Sequence, residues 1–249
     1  MKIENEKTTK EYWESVNVVQ PKLRLPSSLV VGTRNIQRIL TTYITPQMNV
    51  LEIGFAPGKT LAWVAKILKA KVAGVDYSES GVIFSKKLFN TLNIDADLRC
   101  EDVFSTTFQP QSFDIVYSVG VIEHFEDPKP IVRQHMTLLK PGGTALILIP
   151  DYNGIYGKIQ SYFDPNNLLI HNLDIMTCQT LVELAPADLT NEVVAFRAGR
   201  INPGLISFEK KWPLLLAKLT TYSINGLGIL QPFDISAICP FLVLKLVRS

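Results

Sequence analysis

The chain has 249 residues, 47% of them hydrophobic, and its 25 basic and 23 acidic side chains leave a formal net charge of +2. This length suits one large α/β domain with additions. The nearly balanced charge gives no reason to expect nucleic acid as a partner. The three cysteines, Cys100, Cys178 and Cys239, lack the spacing of metal ligands, which predicts a reducing, cytoplasmic setting without disulfides. The polar N-terminus does not resemble a signal peptide, and no apolar run reaches the roughly 18 residues of a membrane span.

Residues 1–46 precede the predicted core and are interpreted as an N-terminal helical extension. The stretch from Lys7 to Val16 predicts a short helix. A second helix is expected after Ser27 or Ser28, either of which is a favoured N-cap residue. Two interpretations of the extension stay open: a packing layer at the sheet edge, or a cover over a ligand cleft, with Tyr12 and Trp13 as its aromatic contacts.

The stretch from Asn49 to Thr60, NVLEIGFAPGKT, organises the chain that follows. Its short apolar run, ending at Ile53, predicts a strand buried on both faces. The glycine turn comes next, and then a run with apolar residues at helical spacing. A strand, a glycine turn and a helix open a doubly wound α/β domain, in which the turn holds a ligand at the carboxyl end of the strand. Asp76 ends the next apolar run, about 20 residues after the glycine turn. An acid at this spacing suits the binding of a pair of ribose hydroxyls.

Three interpretations compete for the glycine turn. A dinucleotide fingerprint starting at Gly54 would need glycine at Ala56 and Lys59, so it fails twice. A phosphate-binding P-loop is a near miss, because GFAPGKT is one residue too short between its glycines. The third interpretation is a site for S-adenosylmethionine (SAM). SAM carries no phosphate, so the turn need only let the backbone approach its methionine part closely.

Strand and helix patterns alternate between Asn49 and Pro150, which predicts a parallel sheet with right-handed crossovers. Ser78 is the expected N-cap of the second of these helices. The Pro141-Gly142-Gly143 stretch is expected to end the third helix and turn the chain into the next strand. The predicted strands are Val50–Ile53, Val72–Asp76, Asp97–Cys100, Asp114–Ser118 and Thr144–Ile149, and the predicted helices are Thr60–Lys69, Ser80–Leu92 and Pro130–Leu139.

Four motifs in series resemble the class I SAM-dependent methyltransferases. The pattern E-x-G-x-A-x-G resembles their motif I, with Ala56 in place of the usual middle glycine. An acid follows the third strand at Asp102, and the segments Ser112–Pro128 and Leu138–Pro150 are similar to two further blocks of the family. The resemblance covers about residues 50–150. It implies a Rossmann-like, doubly wound seven-stranded sheet with strands 6 and 7 as an antiparallel hairpin, within a methyltransferase domain spanning residues 47–249.

The same resemblance implies S-adenosyl-L-methionine as cofactor, S-adenosyl-L-homocysteine (SAH) as product, and a set of contacts. The residues expected to flank the methionine part are Glu52, Gly54, Phe55, Ala56 and Gly58. Asp76 would accept from both ribose hydroxyls, and Tyr77 would lie against the adenine. Asp102 and Val103 would recognise the adenine edge, while Ser118 would close the site near the sulfonium. The ordinary alternative for the two aspartates is that each only caps the turn or helix that follows it.

The last hundred residues contain fewer clear patterns. A helix at Asn172–Leu184 capped by Thr177, and strands at Glu192–Ala198 and Ile238–Val247, are predicted. Residues 199–236 are long for a hairpin connection and apolar, and such loops are usually functional. Together with residues 152–170 they are interpreted as a lid over the acceptor pocket. A helical pair that buries a domain edge or a dimer interface, and a patch that meets a membrane surface, are the alternatives.

Methyl transfer is an in-line displacement, for which the protein supplies mainly positioning and desolvation. An oxygen acceptor also needs a base, and the candidates are His124, which follows the fourth strand, and His171 in the lid. Asp151 and Tyr152, just past the fifth strand, are candidate acceptor contacts. No metal site is predicted, because the sequence shows no histidine, cysteine and acid cluster at ligand spacing.

The acceptor is expected to be a small, fairly apolar metabolite, methylated at oxygen, in secondary or natural-product metabolism. No basic stripe with interleaved aromatic residues predicts nucleic acid binding. A monomer or homodimer is expected, without a membrane span but with peripheral membrane contact left open. The alternative from another class is a non-catalytic binding protein that keeps the sheet and uses its apolar C-terminal segment for a partner or a membrane surface.

Overall fold

The structure, a computed structural model, describes residues 6–17 and 22–249. Within this part of the chain, a single seven-stranded sheet forms the centre of the molecule. The strands are β1 (Asn49–Ile53), β2 (Lys71–Asp76), β3 (Ala96–Cys100), β4 (Phe113–Val119), β5 (Leu139–Pro150), β6 (Thr190–Ala198) and β7 (Phe241–Arg248). Their order is β3-β2-β1-β4-β5-β7-β6. Strands β1 to β5 pair in parallel, whereas β7 is antiparallel to both β5 and β6.

Helices cover both faces of this sheet. They are α1 (Lys10–Asn17), α2 (Val31–Tyr43), α3 (Lys59–Trp63), α4 (Glu79–Thr91), α5 (Lys129–Leu138), α6 (Ile155–Phe163), α7 (Pro165–Leu169), α8 (Cys178–Val182) and α9 (Leu214–Leu230). Successive side chains of a strand point to opposite faces. On β1, Leu51 and Ile53 therefore enter one apolar core and Val50 enters the other. The predicted fold class is confirmed, including the antiparallel hairpin of the last two strands.

Local capping signals were good predictors of helix starts. The Ser78 hydroxyl accepts from the Gly81 N–H at 3.2 Å and caps α4. Thr177 caps α8 in a reciprocal capping box, although α8 is much shorter than the helix predicted there. Both caps lie within three residues of their partners, so sequence alone was enough to find them.

Two predicted boundaries were wrong for tertiary reasons. Neither Ser27 nor Ser28 caps α2; the Val31 N–H at its start donates instead to Asn225 Oδ1 of α9 at 2.8 Å. The Pro-Gly-Gly stretch does not precede β5 but lies inside it, because β5 already pairs with β4 at Leu139. The register then shifts before Thr144, so the extra residues are accommodated as an irregularity in the strand.

The long connections of the C-terminal part carry short helices. Helix α9 packs against α2 and joins the two strands of the hairpin. Among the described residues, no helix combines the length and the apolar character needed to cross a bilayer.

Candidate functional site

A cavity of about 910 Å³, part of it open to solvent, lies where β1, β2 and β4 end. We call it the strand-end cavity. Strand order reverses between β1 and β4, and ligands of doubly wound sheets bind at this switch point. Gly54 and Gly120 line the cavity with φ values of +71° and +72°. A Cβ at Gly54 would lie 2.6 Å from Val121 Cγ2, so a side chain there would be both strained and obstructed.

The strand-end cavity is lined by acidic residues without basic ones among the described residues. Its lining contains the carboxylates Glu6, Asp76, Glu101 and Asp102. In the described part of the chain, no lysine or arginine lines it. Such a cavity disfavours a polyphosphate and favours a ligand with positive charge. It therefore weighs against the P-loop and dinucleotide interpretations of the glycine turn.

Asp76 is held between the glycine turn and the start of α4. Its Oδ2 accepts from the Ala56 N–H and its Oδ1 from the Ser78 N–H, each at 2.9 Å. Burial raises the pKa of this carboxyl, and the two backbone hydrogen bonds oppose that rise. Each carboxylate oxygen retains a second acceptor site, so ribose hydroxyls can still be bound. The two backbone hydrogen bonds show the local structural role, and the binding role stays a prediction.

The predicted adenine contacts also lie together. Asp102 accepts from the Phe104 N–H at 2.9 Å and caps a short turn, and it lines the cavity with Val103 and Tyr77. Burial is the main cause that raises the pKa of Tyr77, and the Glu6 carboxylate adds to it. Burial, followed by the charge of Asp102, raises the pKa of Glu6. These groups form one acidic edge of the cavity at the ends of β2 and β3.

Two of the residues predicted to contact the methionine part of SAM, Phe55 and Gly58, are buried behind the cavity wall. The Phe55 ring is buried and lies against Gly74 of β2, where a Cβ would come within 2.6 Å of the ring. Gly58 faces α4, since a Cβ there would lie 2.8 Å from Ser85 Oγ. Neither residue lines the cavity. Phe55 and Gly58 therefore lie behind the cavity wall, whereas Gly54 and Ala56 line the cavity itself.

Glu52 and Ser118 are likewise behind the cavity wall. Glu52 Oε2 accepts from the Tyr117 hydroxyl at 2.7 Å, and burial raises the pKa of Glu52 to about 8. The Ser118 hydroxyl lies 2.9 Å from Nε2 of His135, which is fully buried. The expectation that the Ser118 side chain closes the site is therefore corrected. Val119, the next residue along β4, lines the cavity in its place, because side chains alternate along a strand.

The described part of the N-terminal extension covers the strand-end cavity. Glu6, Thr8 and Trp13 line it, whereas Tyr12, the other predicted aromatic contact, does not. The Lys7 N–H donates to the His124 carbonyl at 2.7 Å. Helix α1 is held by Glu14, whose carboxylate accepts from the first N–H groups of α4. These contacts support the cover interpretation over that of a packing layer at the sheet edge.

The two candidate bases are brought together by the fold. The rings of His124 and His171 lie 4.8 Å apart, centroid to centroid. His124 lines the strand-end cavity, and burial lowers its pKa to about 4, so it is neutral at pH 7. Burial also lowers the pKa of His171. Glu123 joins them, and ligand atoms of the three residues lie within 4.8 Å of one another.

The sequence predicts no metal site, because it shows no cluster at ligand spacing. The fold nevertheless brings three side chains of metal-ligating type together. Glu123 and His124 adjoin in sequence, but His171 is far away, so no short spacing motif could reveal the group. Glu123 lies within the segment Ser112–Pro128, which resembles a block of the methyltransferase family, but it was not among the predicted site residues.

The candidate acceptor contacts Asp151 and Tyr152 do not line the strand-end cavity. Asp151 Oδ2 accepts from Arg197 Nε at 2.7 Å. The Tyr152 hydroxyl donates to the Leu205 carbonyl at 3.2 Å, and its ring meets the edge of His171. Asp151 therefore faces β6, whereas Tyr152 packs beside a candidate base.

No residue of the two segments interpreted as a lid, 152–170 and 199–236, lines the strand-end cavity. Helix α9 exposes large apolar side chains to solvent. These are Leu214, Leu215, Leu216, Leu219, Tyr222, Leu227 and Leu230. A lid over a separate acceptor pocket, a dimer interface and a membrane contact all stay predictions for this face.

Comparisons with known proteins agree with the geometry. The sequence model of a family described as "Methyltransferase domain" matches residues 51–147. The ubiquinone biosynthesis O-methyltransferase of Coxiella burnetii is 33% identical over 95 residues, 38% of this chain and 40% of that protein. Phosphoethanolamine N-methyltransferase 1 of Arabidopsis thaliana is 28% identical over 109 residues, 44% of this chain and 22% of that protein. The matched part thus spans well under two thirds of either relative.

A solved structure resembles the chain over most of its length. Phosphoethanolamine N-methyltransferase 2 of Haemonchus contortus, in complex with S-adenosyl-L-methionine, has a TM-score of 0.61 and 18% sequence identity. The alignment covers 86% of this chain and 52% of that one. At this level of identity, the likeness establishes the fold alone.

Proposed function

We propose, from the match of residues 51–147 to a family described as a methyltransferase domain, that the protein transfers a methyl group from SAM to a small, fairly apolar acceptor. The observation that carries this proposal is the strand-end cavity, with its carboxylates and without lysine or arginine among its described lining residues. SAM has a sulfonium and an ammonium group against one carboxylate, so its net charge matches this lining. ATP and NAD carry phosphates, which the lining would repel.

The donor is placed by groups that line the cavity. Asp76 accepts from the ribose hydroxyls, and Asp102 with the backbone of Val103 recognises the adenine edge. Gly54 and Ala56 let the backbone approach the methionine part. In this proposed placement, the methyl group would point toward the carboxyl end of β4, where Val121 lines the cavity.

We further propose that the acceptor is methylated at oxygen, in secondary or natural-product metabolism. The methyl-side wall includes the apolar residues Val121, Phe125 and Ile131, which suits an apolar acceptor. An oxygen acceptor must lose its proton, and the neutral His124 stands at this wall with His171 beside it. An N-methylation would need no such group when the acceptor amine is already neutral, so proton removal is the feature that separates the two reactions.

Titration calorimetry with SAH, ATP and NAD tests the donor. We expect micromolar binding of SAH alone. Incubation with SAM carrying a labelled methyl group, together with a panel of phenols, carboxylic acids and amines, then tests the transfer. Binding of ATP or NAD in place of SAH would overturn the donor assignment, and labelled amines without labelled oxygen acceptors would overturn O-methylation.

A non-catalytic binding protein is the second candidate, and the exposed apolar face of α9 is the observation that favours it. Such a protein would bind SAH but label no acceptor. Its α9 face would bind a partner or a membrane surface at protein concentrations that give no detectable methyl transfer.

A further inference from the structure

The cluster of Glu123, His124 and His171 lies between two openings of the molecule. His124 lines the strand-end cavity, whereas His171 lines a second, shallower cleft beside α7. Lys7 and Glu126 form a 3.0 Å ion pair at the rim of this second cleft. A group bound by the cluster would therefore lie between the strand-end cavity and the second cleft.

Both histidines present one nitrogen to the cluster and use the other as a donor to the backbone. His124 Nδ1 lies 2.8 Å from the Ile170 carbonyl oxygen, and His171 Nδ1 lies 2.6 Å from the Asn167 carbonyl oxygen. A carbonyl only accepts, so each Nδ1 carries the proton and each Nε2 keeps its lone pair. Metal-ligating histidines show this pattern, because the backbone hydrogen bond fixes the tautomer and the ring orientation.

One carboxylate oxygen of Glu123 is buried without a partner in the described part of the chain. The residue is 1% exposed, and its Oε2 is buried without a hydrogen-bond partner among the described residues. Leaving a buried polar atom unpaired is destabilising. A bound cation would provide the missing partner.

The chain holds the three side chains in place with backbone contacts. The Asn172 N–H donates to the Glu123 carbonyl at 2.6 Å. The Asn172 side-chain amide donates to the carbonyls of Phe125 and Glu126 at 3.0 and 2.9 Å. The loop that carries His171 is thereby fixed to the turn that carries Glu123 and His124. Such support is what a ligand set needs in order to bind without first being ordered.

We propose that Glu123 Oε2, His124 Nε2 and His171 Nε2 bind one divalent transition-metal cation. Two imidazoles and one carboxylate are a ligand set of catalytic zinc sites and of non-haem iron sites, which leave further positions open for water or substrate. The ligand atoms, up to 4.8 Å apart, are wider apart than the roughly 3.4 Å between two ligands of a tetrahedral zinc ion. Binding is therefore expected to draw the side chains together by about 1 Å through side-chain rotation.

The role of the cation in catalysis rests on the proposed function. The cation binds the acceptor oxygen at an open position and lowers the pKa of its hydroxyl group. The O–H bond breaks and the proton leaves to solvent. An oxygen lone pair then forms the new C–O bond, while the electron pair of the C–S bond goes to sulfur and gives SAH. Neither histidine can then accept the proton, because both Nε2 lone pairs are occupied by the cation.

Cobalt binding tests the site without any acceptor. The full-length protein, stripped with a chelator, is titrated with Co²⁺ while its visible absorption is recorded, and Zn²⁺ is added as a competitor. We expect one Co²⁺ per chain with nitrogen and oxygen ligation. Glu123→Gln, which keeps the size of the side chain, and His171→Asn are each expected to weaken binding at least roughly tenfold. Asp174→Asn, an acid of the second cleft outside the cluster, is the matched control and leaves binding unchanged.

Thermal unfolding and SAH calorimetry on each variant separate loss of ligands from loss of fold. Absence of stoichiometric Co²⁺ binding, or binding that survives both cluster variants, would overturn the metal site. The proposed function has its own readout, since SAH binding and methyl transfer are measured independently. Methyl transfer that persists unchanged after the chelator has removed the bound cation would overturn the catalytic role and return it to a histidine base.

Discussion

The Tyr117 hydroxyl donates a 2.7 Å hydrogen bond to Glu52 Oε2, and both residues are buried. They are direct neighbours on the parallel strands β1 and β4. Burial raises the pKa of Glu52 to about 8, although the hydrogen bond from Tyr117 opposes the rise. The glutamate of the glycine-turn motif therefore acts through the core: it ties β1 to β4 directly beneath the strand-end cavity.

This pair predicts a pH dependence of stability. The folded protein holds the Glu52 proton more tightly than the unfolded chain, whose glutamate pKa is about 4.3. The contribution of Glu52 to stability is therefore complete below that value and is lost as the pH rises through about 8. Glu52→Gln removes this dependence. Urea unfolding at pH 6 and pH 9 should show a smaller drop in unfolding free energy for the variant, with Glu192→Gln on the exposed face of β6 as control. Equal drops in both proteins would refute the assignment.

Replacing Asp76 tests the donor site. Asp76→Asn removes the charge that would bind two ribose hydroxyls, and hydrogen bonds to a charged group contribute about 1.5–3 kcal/mol each. We expect the SAH dissociation constant to rise at least about tenfold, as measured by calorimetry. Asp95→Asn, an exposed acid before β3, should leave SAH affinity unchanged. An Asp76 variant that folds and binds SAH normally would show that the cofactor is placed differently.

Replacing Glu14 tests the cover formed by α1. The Glu14 carboxylate accepts from the Glu79 and Ser80 N–H groups at 2.6 and 3.1 Å. Glu14→Ala frees α1 from α4, so SAH should dissociate faster and bind more weakly by roughly an order of magnitude. Stopped-flow displacement of SAH measures the rate. Ser15→Ala on the same helix is the control. If both variants release SAH at the wild-type rate, α1 does not act as a cover.

Replacing Asn225 tests the long-range cap of α2. Asn225 accepts from the Val31 N–H and donates to the Leu29 carbonyl, each at 2.8 Å. Loss of an N-cap typically costs about 1 kcal/mol, so Asn225→Ala should lower the unfolding free energy by about that amount in urea titrations. Ser28→Ala, at a position that the sequence favours for this cap, should change it by less than about 0.5 kcal/mol. The opposite ranking of the two variants would contradict the cap seen here.

The residues expected to bind the cofactor could be predicted because the order of strands and helices along the chain fixes where they lie. The end of a buried strand can be recognised by its apolar run, and parallel strands bring their carboxyl ends to one edge of the sheet. Asp76 and Asp102 were therefore predictable as neighbours without knowledge of a single contact. Glu52, Phe55 and Ser118 were harder, because one step along the chain decides whether a side chain faces the cavity or the core.

The sequence by itself determined the α/β alternation, the parallel pairing of the first five strands, the glycine turn and the acids at the ends of β2 and β3. Each of these depends on local periodicity or on residues close together in the chain. Only the tertiary structure decided that α1 covers the strand-end cavity, that Asn225 caps α2, and that His171 joins Glu123 and His124. These contacts join segments far apart in sequence, and their side-chain directions depend on how the connecting segments cross the sheet, which no local pattern specifies.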